Sequence, residues 1–235
     1  MFLDPLYLAF LIPGMILAGI AALLTKTTFK KYSKVGVSTR LTGAEAAQRL
    51  LNHEGISDVS IEAVRGFLSD HYDPSSKTLR LSPEVYGARS LSAIGVACHE
   101  VGHAIQHARS YAPLALRTAL VPIASIGSNL AWILIMGGIF LNYMTHGNSM
   151  FIAQLGVILF MGAVAFTLIT LPVEWDASAR AKRLMVAAQV VGPAEAIQAG
   201  KVLNAAFLTY VAAAVTAVLQ LLYFMWRTGM LGGRR

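Results

Sequence analysis

Apolar positions along the chain collect into four long runs, near residues 3–24, 118–141, 150–171 and 205–226. Each is close to the roughly 20 residues a helix needs to cross a hydrocarbon core. The first run carries a single charge, Asp4, at its outer end, and lacks the basic start and short apolar segment of a signal peptide, so it reads as a retained helix. The second and third runs are separated by the polar stretch 142–149 and predict a helical hairpin. The fourth ends in Tyr223, Trp226 and Arg227, residues suited to the headgroup level. Gly127 with Ala131, and Gly156 with Gly162, permit close helix contacts without specifying an oligomer.

Between the first and second runs the pattern changes. Thr42 and Glu45 form a T-x-x-E capping box, Ala46, Ala47, Leu50 and Leu51 form an apolar stripe, and Gly55 can close the helix. Val59, Ile61, Ala63 and Phe67 alternate as in a half-buried strand over 59–68. Residues 78–81 alternate again after the turn-forming Asp73-Pro74-Ser75-Ser76, which predicts a β-hairpin of these two strands. Ser82-Pro83 begins a short turn. From Ser90 the spacing of Leu91, Ile94, Val101 and Ile105 is helical to about Arg109.

Composition agrees with the four runs. Of 235 residues 56% are hydrophobic and 13% charged, and the mean hydropathy is +0.60, so lipid is the expected solvent for much of the chain. The net charge of +7 comes from basic residues beside the apolar runs, with no aromatic-interleaved patch. An anionic membrane surface explains them, and no nucleic-acid partner is expected. Four crossings put residues 25–117, with 12 Lys and Arg, and 172–204, with four, on one face, against Arg227, Arg234 and Arg235 on the other. The positive-inside rule makes the first face cytoplasmic. Cys98 stands alone, so it forms no intrachain disulfide and reads as a small buried residue.

The chemistry lies in His99-Glu100-Val101-Gly102-His103. Positions i and i+4 of a helix share a face, so both imidazoles can reach one Zn²⁺, while Glu100 is offset to act on water as general base. The chain's own frequencies give roughly a 0.5% chance of one such motif by accident, which favours chemistry over two hydrogen-bonded surface histidines with an acidic neighbour. A catalytic zinc needs a third protein ligand and an open position. Gln106 and Arg109 exclude a long three-histidine motif. His107 is one turn further along, where successive i+4 steps diverge, so it reads as a surface or supporting histidine. Glu174 follows the third run on the same membrane face and is the expected ligand; the alternative is that Glu174 and Asp176, after Pro172, stabilise a helix's first turn. Asp176 is a candidate for orienting a histidine.

Thr42-Gly43-Ala44-Glu45, Asp70-His71-Tyr72-Asp73-Pro74, Leu79-Arg80-Leu81-Ser82, the stretch His99 to His107, and Leu171 to Ser178 together resemble the neutral zinc metallopeptidases of bacterial membranes. The resemblance covers nearly the whole chain. It implies zinc peptidase activity with His99 and His103 as ligands, Glu100 as base and Glu174 completing a gluzincin-type site. More distantly the layout is similar to CAAX prenyl endopeptidases and heat-shock membrane metalloproteases, whose later E-x-x-x-D has Ser178 in place of the aspartate here.

The expected architecture is therefore predominantly α: a multi-pass cell-membrane protein with four transmembrane helices and a small α+β zincin-like part containing a β-hairpin. Its expected segments are helix 1 (1–24), the zincin-like part (25–117), a helical hairpin (118–171), a helical segment with the third ligand (172–204), and helix 4 with a basic tail (205–235). One Zn²⁺ per chain and a peptide or protein substrate, membrane proteins included, are expected. An extended substrate is expected along strand 77–82, or along 59–68, with His71 or Tyr72 as candidates for stabilising an oxyanion, although Asp70–Ser76 also reads as a plain turn. A non-catalytic scaffold with structural zinc is the alternative function. A transporter is disfavoured, because the four runs hold almost no ionisable residue at mid-depth.

Overall fold

The computed structural model describes residues 4–66 and 69–232. Its elements are α1 (Pro5–Tyr32), α2 (Gly43–His53), β1 (Ser60–Ala63), β2 (His71–Asp73), β3 (Thr78–Leu81), α3 (Pro83–Tyr86), α4 (Leu91–Ala108), α5 (Ala112–Met144), α6 (Met150–Ala187) and α7 (Pro193–Arg227). The fold is predominantly helical with one small sheet. Four helices, α1, α5, α6 and α7, are long and apolar enough to cross a membrane.

These four helices extend past the apolar runs, because composition marks where lipid compatibility stops and hydrogen bonding continues beyond it. At α6 this changes the local reading: Pro172 lies inside a continuous helix, so Glu174 and Asp176 do not occupy a first turn. Their role as stabilisers of a helix N-terminus is thereby removed. The tail residues Arg234 and Arg235, and Phe67 and Leu68 of the expected first strand, lie outside the described residues.

The chain divides into two compact units. One contains residues up to 20, 116–171 and those from 210 onward. Its core is Tyr7, Ala131, Ile135, Val157, Phe160, Val164, Tyr223 and Phe224. Here α5 and α6 form the expected hairpin, and a Cβ on Gly138 would lie 2.3 Å from the backbone nitrogen of Ala153. Small residues therefore set how close the two backbones come.

The other unit contains residues 21–115 and 172–209. In α2 the expected capping box is present, with the Glu45 amide donating to Thr42 Oγ1 and the Thr42 amide donating to Glu45 Oε2. Its end is a Schellman motif: Ile56 N–H donates to Leu51 O and Gly55 N–H to Asn52 O, with Gly55 at φ +70°. Leu50, Leu51 and Ile56 enter the core beside Leu79, Leu81, Leu91 and Ile94.

The sheet has the order β1-β3-β2. β3 pairs antiparallel with β2, in the register His71 to Arg80 and Asp73 to Thr78, and parallel with β1, Ser60 to Thr78 and Ala63 to Leu81. The hairpin is thus β2–β3, and the segment 59–68 is not its first arm. Alternation fixes which face of a strand is inward, but not its partner or direction. His71 to Asp73 is strand, so the turn is narrower than Asp70–Ser76. Because β3 is central, with neighbours on both sides, strand 77–82 presents no free edge; only β1 and β2 do.

Fourteen of the eighteen residues of α4 are buried, which makes it the central helix of this unit. Ser90 caps its start by accepting from Ala93 N–H. Cys98 is fully buried on it, and burial pushes its thiol pKa up to about 12.

Candidate metal centre

One helical turn separates His99 from His103 on α4, and their rings meet edge to face with centroids 4.8 Å apart. Glu174, on α6, is 2% exposed. Its Oε2 lies 3.2 Å from His99 Nε2 and 3.5 Å from His103 Nε2. One ligand atom from each of the three residues lies within 4.8 Å of the others.

This convergence depends on Gly102. A Cβ there would stand 2.6 Å from the carbonyl oxygen of Ala177 and 3.0 Å from its Cα, both backbone atoms of α6. Only a glycine allows α4 and α6 to approach this closely, and Glu174 sits one turn before the contact.

The ring nitrogens facing away from the carboxylate are held too. Gln106 is fully buried, and its Nε2 donates to Val173 O and to Asp176 Oδ2, both at 2.8 Å. Neither acceptor can donate, so the orientation of the amide is fixed and Oε1 faces His103 Nδ1 at 3.0 Å. His103 Nδ1 therefore carries the hydrogen and donates, leaving the Nε2 lone pair for the side facing Glu174. Ser178 Oγ lies 3.1 Å from His99 Nδ1 and can accept in the same way. Asp176 is also paired with Arg180 at 2.6 Å, and Arg180 packs over the Tyr111 ring. Burial acts to lower the pKa of His103, but Glu174, Glu100 and Gln106 outweigh it and raise the value on balance.

The donor set fits zinc. Two ligand atoms on one tetrahedral zinc, at roughly 2.0–2.1 Å each, lie about 3.3–3.4 Å apart, close to the two contacts with Glu174. Two imidazoles and one carboxylate leave a fourth position open, as hydrolytic zinc sites require.

The other expected site residues are distributed as follows. Glu100 is buried and directly follows His99 on α4. Asp176 reaches His103 through Gln106. His107 is not with His99, His103 and Glu174: its Nδ1 is 2.9 Å from the Tyr72 hydroxyl. The pair lines a cavity of about 280 Å³ with Asp58 and Lys77. Burial, then Asp58 and Asp73, push the Tyr72 pKa up to about 12, so its hydroxyl stays protonated beside His107. His71 is exposed and bonds the carbonyl of Ser69 at 2.8 Å. From the sequence, Gln106 serves only to exclude a longer motif, and Ser178 appears only as a missing aspartate; Gln106 touches His103 and Ser178 touches His99. Their spacing, i+3 from His103 and i+4 from Glu174, is the signal that points to them.

A curated relative from Bacillus subtilis (strain 168), named "Putative membrane protease YugP", is 49% identical over 200 residues, covering 85% of this chain and 86% of its own length. No solved structure matches. The family described as "Putative neutral zinc metallopeptidase" matches residues 7–228, nearly the whole chain, and with a zinc-compatible trio at its centre the chain belongs to that family of neutral zinc metallopeptidases.

Proposed function

We propose that this chain is a membrane-embedded zinc endopeptidase with one zinc per chain, held by His99, His103 and Glu174 in a gluzincin-type site, with Glu100 as general base. The convergence of two Nε2 atoms and one carboxylate oxygen, 3.2 and 3.5 Å apart, carries this reading. When bound, zinc supplies Lewis-acid activation of water and of the scissile carbonyl. The Glu100 carboxylate takes a proton from the attacking water as the new C–O bond forms, and delivers it to the amine nitrogen as the C–N bond breaks. Gln106 and Ser178 keep both imidazoles turned so that their Nε2 atoms face the same point. An extended peptide binds along a free edge of the sheet, on β1 or β2. Tyr72 is committed to His107 and serves the shape of this region.

The substrate class is peptide or protein, membrane proteins included, and the site faces the cytoplasm, in keeping with the charge bias flanking the apolar runs. The test is metal analysis with peptide cleavage for the wild type, Glu100→Gln and Glu174→Ala. The expected result is one zinc per chain in the wild type and in Glu100→Gln, cleavage only in the wild type, and weakened zinc in Glu174→Ala. Equal zinc in all three removes Glu174 as ligand, and cleavage by Glu100→Gln removes the base.

A further inference from the structure

Lys26 is the first charge on α1 after its apolar run, and Lys30 follows one turn later on the same face. Between them and the segment leading into α4 lies a cavity of about 390 Å³, walled by Phe29 and Ala88, with Glu84 on the far side. That volume falls within the range of small-molecule sites, roughly 300–1,000 Å³. The walls are fixed before any ligand arrives. Ser92 Oγ donates to Phe29 O at 2.7 Å, Leu91 N–H to Val35 O at 2.9 Å and Gly43 N–H to Ala88 O at 3.1 Å.

We propose that this cavity binds one anionic phospholipid, its phosphate on Lys26 and Lys30 and the upper part of one acyl chain against Phe29 and Ala88. Three observations select this occupant. The walls are mostly apolar, which a free phosphate ion does not exploit. The lining holds two cations and one anion, a net single positive charge matching a phosphodiester monoanion. The lysines stand where α1 leaves its apolar run, the depth at which headgroup phosphates lie. The site is independent of the zinc chemistry proposed above. It would tie a lipid to the start of α4, since Ser90 both lines the cavity and caps that helix.

The experiment uses the full chain, delipidated in neutral detergent and titrated with dioleoylphosphatidylglycerol, dioleoylphosphatidylcholine or inorganic phosphate, with retained lipid read by native mass spectrometry. One phosphatidylglycerol per chain is expected. A surface lysine contributes about fivefold to anionic lipid affinity, so Lys26→Ala with Lys30→Ala should weaken it about twenty-five-fold. Lys31→Ala with Lys34→Ala removes the same charge outside the lining and should change binding less than about threefold. Ala88→Phe fills the apolar wall and should weaken phosphatidylglycerol with no change of charge. Equal losses in the two lysine pairs would mean surface attraction without a site. Equal retention of phosphatidylcholine, or competition by phosphate at matching concentration, would also overturn the proposal.

Discussion

Gln106 has no charge and no catalytic chemistry, yet its buried amide fixes the tautomer of one proposed ligand and links it to the helix that carries another. Gln106→Leu keeps most of the volume but removes the amide's bonds to Val173 O and the Asp176 carboxylate, and it frees the His103 ring. Loss of such an outer partner typically costs about 10–100-fold in metal affinity. That loss is expected in a zinc competition titration, with Glu100→Gln close to the wild type as control. If Gln106→Leu binds zinc as the wild type does, the amide does not position His103. The histidine pair was legible in the sequence because i and i+4 lie on one face whatever the tertiary structure. Glu174 was legible from its place beside the third apolar run. Gln106 and Ser178 were not, since an amide or a hydroxyl acquires meaning only from what another element sets opposite it.

Among the elements, the contact of α4 with α6 is the sensitive one. Gly102→Ala puts a methyl against the Ala177 backbone, which cannot swing aside as a flexible side chain can. A destabilisation of about 1–3 kcal/mol is expected from such overpacking, together with weakened zinc, because moving α6 moves Glu174. Chemical unfolding and zinc content of the same sample check both; an unchanged zinc affinity would separate the contact from the site. The hairpin β2–β3 has its own control. Asp73 accepts from Ser75, Ser76 and Arg80, which hold its carboxyl well below the ordinary 3.8. A depressed carboxylate pKa contributes stability that is present above the unfolded value and lost as pH falls through the folded one. Amide-exchange protection at Thr78 and Arg80, which face β2, should therefore be flat from about pH 5 to 7 and fall below about pH 4. Asp73→Asn should flatten that fall. α2 and α4 could be read from caps and periodicity, both local signals. The strand partners could not, because β1 and β3 pair across the intervening β2, and a three-residue strand rich in polar residues has no alternation to display.

For the whole molecule, four helices of spanning length and a basic flank predict which segments share a side. Cysteines introduced at Ser75 and at Gly147 should label from opposite faces of sealed vesicles, Ser75 from the cytoplasmic face; labelling from one face would overturn the four-crossing topology. The native thiol does not confuse that assay. Cys98 is closed off inside α4's packing with its proton firmly held, so it presents neither a thiolate nor a path for a reagent. The same burial has a physiological side. With its single sulfhydryl buried, the chain offers peroxide no thiolate to convert to a sulfenic acid beside the proposed metal centre. The proposed peptidase is therefore expected to keep its activity at peroxide doses that silence enzymes relying on cysteine, and inactivation that tracks oxidation of Cys98 would overturn this.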